Sequence, residues 1–403
     1  MDYRSILLIS GVLILLVCAT VVVAYLRKRA IGIDSGVLST CRSRVYAWWF
    51  LFGALTCAVL LGTIATVVLF GIVSFWALRE YMTLTPTRPA DHRTLVGVFF
   101  LLTPLQFVLV GVDSEWFFQF FHVESSFVYS VLIPSLAFLI LPATIAVSDD
   151  PKFFLERIAK LQVGLLICVY SLSFAPAIMT MELHDPAKIS LYAPEIQAVD
   201  IEDKVLKPIE DVVGMQNVNR ENEGTDIKEG DKEIVDSSDK LATVPRDDTE
   251  KATDAQLKSP TPHKKTHPVN LTLLFVFVIL TQVNDVAQYF WSLTFPKHKI
   301  ASNINSNKTS EGVALGVLTT ALVAVAFLYF TPFANWRQAA LAGVIISIMG
   351  FAGNMTISAI KRDQGVGEYG ELVEGHSGVL DRIDSLCFAA PVFYHYVRLC
   401  LNQ

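Results

Sequence analysis

A short stretch near the end of the chain concentrates side chains that suit phosphate chemistry. The segment 375–385 reads GHSGVLDRIDS and holds two carboxylates, a guanidinium and an imidazole. Asp381 and Asp384 are three residues apart, so on a helix both project from one face. Such a pair offers hard oxygen ligands to Mg²⁺, which commonly binds one or two carboxylates together with substrate phosphates. The alternative at this point is a solvated loop with ion pairs inside one helix.

A polar stripe precedes that stretch by about twenty residues. Asn354, Ser358 and Lys361 follow at i, i+4 and i+7, so one helix face carries them and leads to Lys361 and Arg362. These two cations, with Arg382, would balance phosphate charge. Metal and cations without an obvious nucleophile suit phosphoryl or nucleotidyl transfer, because positioning and charge stabilisation do most of the work there.

Two further polar clusters lie earlier in the second half of the chain. Asp285 falls within a predicted apolar helix, where an ionisable residue costs about 3 kcal/mol and is by default a functional candidate. It shares a helix face with Gln282 and Tyr289, and a packing hydrogen bond is the alternative. Lys308, with the neighbouring hydroxyl of Thr309, could hold phosphate. It could equally belong to a basic loop that meets anionic lipid headgroups.

The elements that must position these residues are membrane helices. The chain has 403 residues, of which 53% are hydrophobic and 17% charged, whereas soluble domains carry about 25% charged residues. The composition predicts an all-α, polytopic transmembrane helical bundle. Runs long enough to span a bilayer occur at roughly 6–25, 45–77, 94–112, 128–147, 161–181, 271–293, 312–331, 338–358 and 386–402. The run at 45–77 can hold two helices with a break near Gly62, which gives about ten spans.

Charge divides the chain and orients it. With ten spans, the Lys- and Arg-rich loops lie on the same side of the membrane as the polar clusters. Positive loops favour the cytoplasmic side, so we expect the candidate site there. The expected location is the cell inner membrane or an equivalent, as a multi-pass protein. The segment 183–268 holds 19 of the 38 acidic residues and no Phe or Trp. Such a composition cannot bury enough apolar surface to offset its ordering entropy, so we expect a mostly disordered polar insertion. A folded regulatory module is the alternative. The predicted division is N-terminal transmembrane helices at 1–182, the insertion at 183–268, and a C-terminal transmembrane catalytic region at 269–403.

Neither a cysteine-based structural site nor a nucleic-acid partner is expected. The six cysteines form no CxxC pair, so the sequence predicts neither a disulfide framework nor a zinc site. The net charge of −6 gives no indication of nucleic-acid binding.

At its polar clusters the sequence resembles the phosphatidate cytidylyltransferase (CDP-diacylglycerol synthase) family, over about 270–400. The family signature runs S-x-x-K-R, then K-D, then H-G-G-x-x-D-R-x-D. It corresponds here to 358–362, 367–368 and 376–384. An earlier element, S-P-x-K-T-x-E-G, matches at Lys308, Thr309, Glu311 and Gly312, and Asp285 with Tyr289 is similar to an intramembrane helix of the family.

The chain also departs from the family pattern. Asn354 stands where the family has a metal-binding aspartate, and Gly367 and Glu368 replace the lysine–aspartate pair. Ser377 replaces the first glycine after the histidine, and Ser306 replaces a proline. These changes indicate a divergent member.

The resemblance implies a Mg²⁺-dependent nucleotidyltransferase that passes a cytidylyl group from CTP to phosphatidate or a related lipid phosphate. The products are CDP-diacylglycerol, for phospholipid synthesis, and pyrophosphate. The residues implied are Lys361, Arg362, Arg382 and Asp285 in catalysis, Lys308, Thr309, Ser358 and His376 in substrate binding, and Asp381, Asp384 and Asn354 as metal ligands. The implied partners are CTP, the lipid phosphate and membrane lipids, with no nucleic acid, and a homodimer is left open.

Two other hypotheses remain at this stage. Asp285, Asn354 and Lys361 could form an intramembrane polar path in a transporter. No inverted repeat is visible, however, and the polar residues concentrate in the C-terminal half. Asn354 and Gly367 also raise the alternative of an inactive family relative, against which the retained aspartates and cations argue.

Overall fold

A computed structural model describes residues 3–28, 35–85, 88–112, 114–123, 125–147, 151–181, 268–365 and 378–401. These residues are almost entirely helical and belong to one compact unit. The predicted insertion at 183–268 lies outside the described residues except for Pro268, and so does His376.

The described chain forms eleven helices and a small hairpin. The helices are α1 (Tyr3–Lys28), α2 (Ser35–Leu61), α3 (Thr63–Leu84), α4 (His92–Gly111), α5 (Ser114–Phe121), α6 (Ser125–Ala146), α7 (Phe154–Thr180), α8 (Pro268–Thr294), α9 (Ser310–Ala326), α10 (Trp336–Asp363) and α11 (Leu380–Leu401). π-Helical segments lie within α4, α6 and α7, at Val98–Leu102, Leu132–Ala137 and Leu166–Ser171, and 3₁₀ turns lie at Pro89–Asp91 and Leu328–Phe330. The strands β1 (Lys299–Ala301) and β2 (Asn305–Thr309) pair antiparallel between α8 and α9.

The predicted helical membrane bundle is confirmed. Six described helices, α3, α4, α6, α7, α8 and α10, are long and apolar enough to cross a membrane. Shorter apolar segments lie at Ser5–Val21, Trp48–Leu61 and Ser310–Ala326, so the count of ten spans stays a prediction.

The predicted break in the long apolar run at 45–77 is confirmed at Gly62. Helix α2 ends at Leu61, and α3 begins at Thr63. Gly62 has φ +110°, a conformation that glycine adopts without steric cost. The run therefore forms two helices.

The helices that carry the polar clusters pack around one another. Helix α10 contacts both α9 and α11, and α8 contacts α9. Helix α7, from the N-terminal half, packs against α3, α8 and α11. The rings of Phe277 and Phe393 stack with their centroids 4.9 Å apart, and the buried Tyr129 hydroxyl donates to the Tyr394 hydroxyl at 2.7 Å. Aromatic packing and this hydrogen bond thus join α6, α8 and α11 in the buried core.

Candidate active site

The β-hairpin fixes a lysine against a membrane helix. Lys308, on β2, is only 8% exposed, and its Nζ donates to Gln288 Oε1 on α8 at 2.9 Å. The next residue, Thr309, accepts a hydrogen bond from the Gly312 backbone N–H at 3.1 Å and so caps the first turn of α9. A basic loop was one interpretation of this segment from the sequence, whereas the structure forms a strand here although NSNKT lacks the apolar alternation that signals one.

The most buried polar face of α8 is made by Asn284 and Gln288, one turn apart. Both are fully buried. Gln288 Nε2 donates to Asn284 Oδ1 at 3.0 Å, and the hydroxyls of Thr320 and Ser347 donate to the same oxygen. The face that sequence analysis selected, with Gln282, Asp285 and Tyr289, is half-buried instead. Asp285 therefore lies beside the buried network and not within it.

Ser385 joins two aspartates that come from different helices. Its Oγ donates to Asp285 Oδ1 on α8 at 2.7 Å, and its backbone N–H donates to Asp384 Oδ1 at 2.7 Å. Ser385 is 1% exposed, so both bonds are donated by a buried residue. No role for Ser385 was predicted from the sequence, and its position directly after Asp384 is the one signal that points to it.

Both aspartates of the signature contact α10. Asn354 Nδ2 donates to Asp384 Oδ2 at 3.0 Å, and Lys361 Nζ forms an ion pair with Asp381 Oδ1. Asp384 is 4% exposed, whereas the Asp381 side chain is 34% exposed. The polar stripe on α10 therefore contacts both carboxylates of α11. The contact is buried at Asp384 and exposed to solvent at Asp381.

Gly353 allows the two helices to approach closely at this contact. A Cβ at position 353 would lie 2.5 Å from the backbone oxygen of Asp384 and 2.9 Å from the Phe388 ring. Real Cβ atoms essentially never come that close to backbone. A glycine is therefore needed for Asn354 to reach Asp384.

The hairpin closes over the stripe of α10. Asn305 Nδ2 donates to Asn354 Oδ1 and to Ser358 Oγ, each at 3.3 Å, and Ser358 Oγ donates to the Asn354 carbonyl at 2.7 Å. Arg362 Nε donates to the Ile304 carbonyl at 3.4 Å. Asn305 is a second contributor for which the sequence predicted no role of its own, because that role depends on where the hairpin folds.

Most of the expected site residues are brought together. Asp384 lies within electrostatic reach of Asp285, Asp381 and Lys308. Arg382 is half-buried in the first turn of α11, and Arg362 is exposed at the end of α10. The described residues therefore gather carboxylates from α8 and α11 with the cations Lys308 of β2 and Lys361 of α10.

The donor types suit Mg²⁺, the metal implied by the sequence resemblance. Asp381, Asp384 and the Asn354 side-chain carbonyl are all hard oxygen donors, which Mg²⁺ prefers. Among the residues that the structure describes, no three side chains of His, Cys, Asp and Glu form a metal cluster by themselves. Two carboxylates with substrate phosphates are a common Mg²⁺ environment, so the residues present fit the ion.

Comparison with known proteins shows the family. The sequence model of the cytidylyltransferase family matches residues 42–400. An uncharacterized protein of Escherichia coli, YnbB, is 27% identical over 390 residues, which are 96% of each chain. Phosphatidate cytidylyltransferases of Synechocystis and Haemophilus influenzae are 34% and 37% identical, over 34% and 31% of this chain. Those matches span 47% and 44% of the two enzymes, less than half of their length. Because the family model covers most of the sequence and all of the residues gathered at the site, the chain belongs to the cytidylyltransferase family.

Proposed function

We propose that this protein transfers a cytidylyl group from CTP to a membrane lipid phosphate, phosphatidate or a close relative. The products would be a CDP-lipid for phospholipid synthesis and pyrophosphate. One observation carries the proposal: in a chain of the cytidylyltransferase family, Asp285, Asp381 and Asp384 lie together with Lys308 and Lys361 among membrane helices.

The reaction needs charge control more than a protein nucleophile. A phosphate oxygen of the lipid attacks the α-phosphorus of CTP, and the bond to the β-phosphate oxygen breaks as pyrophosphate leaves. Negative charge accumulates on the phosphates, so preorganised cations stabilise the transition state. The residues proposed for this role are Lys308, Lys361, Arg362 and Arg382, with Thr309, Ser358 and His376 as further substrate contacts.

Asp381, Asp384 and Asn354 are proposed to hold Mg²⁺, which when bound would neutralise phosphate charge. In the structure Lys361 already pairs with Asp381. A substrate phosphate that pairs with Lys361 would release the Asp381 carboxylate to serve as a ligand. Asp285, held by Ser385 beside Asp384, is proposed to set the local field at the reaction centre.

The membrane setting matches the two substrates. A lipid phosphate lies in the bilayer with its headgroup at the surface, whereas CTP arrives from water. We propose an inner-membrane location with the site on the cytoplasmic side, where the Lys- and Arg-rich loops are expected.

The proposal is tested with purified protein in detergent, given CTP, Mg²⁺ and a panel of lipid phosphates. We expect CDP-lipid and pyrophosphate in equal amounts, and both should be lost in Asp384→Asn. A matched control is Asp363→Asn, because Asp363 is exposed at the end of α10 and accepts a hydrogen bond from Gln364. Failure of a well-folded protein to release pyrophosphate with any lipid phosphate would contradict the proposal and favour transport or an inactive relative.

A further inference from the structure

Glu80 reaches the helix of the candidate site from the N-terminal half of the chain. It lies on α3, and its Oε2 accepts a hydrogen bond from the Leu380 backbone N–H at 3.1 Å. Leu380 is the first residue of α11, and Asp381 and Asp384 follow within its first turn and a half. One carboxylate therefore contacts the start of the helix that carries both signature aspartates.

The contact answers a physical need of α11. The first four N–H groups of a helix have no acceptor within it, and ends without caps fray. A carboxylate both accepts one of these N–H groups and offsets the partial positive charge of the helix start. Leu380 itself is fully buried, which makes an internal acceptor for its N–H more valuable.

Gly378 leaves the space that Glu80 occupies. A Cβ at position 378 would overlap the Glu80 carboxylate, with Oε1 as the closest atom. The obstacle is the far end of a flexible side chain, so alanine at 378 would displace the carboxylate and need not disturb the backbone. Gly378, two residues before α11, thus leaves room for the Glu80 carboxylate.

We propose that Glu80 is a positioning residue for the cytidylyl transfer site, which holds the first turn of α11 so that Asp381 and Asp384 keep their places against α10. The inference rests on the proposed function for its consequence in catalysis, but the contact itself stands independently of it. Glu80 acts through the start of α11.

The experiment compares Glu80→Ala, Glu80→Gln, Gly378→Ala and the double variant Glu80→Ala/Gly378→Ala. Hydrogen–deuterium exchange of peptides covering 380–385 reports the cap directly, and kcat and KM for CTP report its effect on transfer. The matched control is Glu156→Gln, which removes a carboxylate from α7 that is 55% exposed and paired with Lys160.

In Glu80→Ala we expect amide exchange at 380–385 to rise about fivefold or more, as for loss of a helix cap. Misplacement of the aspartates should lower kcat by about tenfold, while KM for CTP changes less than about threefold. Glu80→Gln retains an acceptor oxygen, so its amide exchange at 380–385 and its kcat should stay close to those of the natural protein. Gly378→Ala should reproduce Glu80→Ala, and the double variant should be no worse than either single one, because both changes remove the same contact.

Unchanged exchange at 380–385 in a folded Glu80→Ala protein would overturn the proposal. Additive losses in the double variant would also overturn it, because Gly378 would then act independently of Glu80. If the wild-type protein forms no CDP-lipid, the proposed function fails, while the exchange data still decide whether Glu80 holds α11.

Discussion

Replacing Asn354 with aspartate tests whether a Mg²⁺ ion binds beside position 354, next to the buried Asp384 carboxylate. Asn354 Nδ2 donates to Asp384 Oδ2 at 3.0 Å, and Asn354 Oδ1 accepts from Asn305 at 3.3 Å. Aspartate at 354 would remove the donor and place a second carboxylate oxygen about 3 Å from that of Asp384.

The size of the effect follows from that distance. Two unit charges about 3 Å apart repel by about 5–6 kcal/mol at an effective dielectric constant of about 20. If side-chain rotation relieves about half of this repulsion, about 3 kcal/mol remains for a bound cation to offset. That energy corresponds to about a hundredfold gain in affinity for Mg²⁺. Asn354→Asp should therefore bind Mg²⁺ more tightly than the natural protein and be less stable without it.

The assay is thermal unfolding and CDP-lipid formation as functions of Mg²⁺ concentration. The matched control is Asn354→Ala, which also loses the donor but adds no charge. We expect Asn354→Asp to have the lowest melting temperature in a chelator and to need at least about tenfold less Mg²⁺ for half-maximal activity. An unchanged Mg²⁺ requirement in a folded Asn354→Asp protein would refute the placement of the ion beside position 354.

Three further predictions follow from the same contacts. Asp384→Asn should lower CDP-lipid turnover by at least about 10²-fold at unchanged protein level, because it removes charge from the proposed metal site, and near-normal turnover would discard that assignment. Gly353→Ala should destabilise the protein by about 1–3 kcal/mol in thermal unfolding, since α10 and α11 must separate, whereas Gly97→Ala, with open space around it, should not. Deleting roughly 190–262 should leave turnover within about threefold, because the Asn270 amide donates to the carbonyls of Met179 and Met181 and so holds the two ends of the segment together. A deletion variant that folds and inserts but makes no CDP-lipid would show that the segment is needed for transfer.

The parts of the fold that follow from one-dimensional patterns were predictable. Apolar length identifies membrane helices, and a run too long for one span must break, as it does at Gly62. Spacing of three along a helix places Asp381 and Asp384 on one side, and the structure sets both against α10. These conclusions need only the helix period and the bilayer thickness.

The contacts that complete the site depend on tertiary packing, and the sequence carried little sign of them. Glu80 is 300 positions from Leu380, yet it accepts a hydrogen bond from the Leu380 backbone N–H. Ser385 bonds to Asp285 only because α8 and α11 lie side by side, and Asn305 acts only because a polar segment folds into a hairpin.

The choice of face on α8 shows the same limit. Helical spacing alone groups Gln282, Asp285 and Tyr289, yet the structure buries Asn284 and Gln288 most deeply. The reason is that Ser347 of α10 and Thr320 of α9 supply polar partners on that side. Polar burial in a membrane bundle follows the partners that neighbouring helices offer.

The central claim is most directly tested by following each phosphate of CTP. Purified protein is given a lipid phosphate and CTP labelled either at the α- or at the γ-phosphorus. Cytidylyl transfer predicts that the α label enters the lipid product and that the γ label leaves entirely in pyrophosphate, with both outcomes absent in Asp384→Asn. Transfer of the γ label to the lipid, or retention of both labels in CTP with every lipid phosphate offered to the folded protein, would contradict the account.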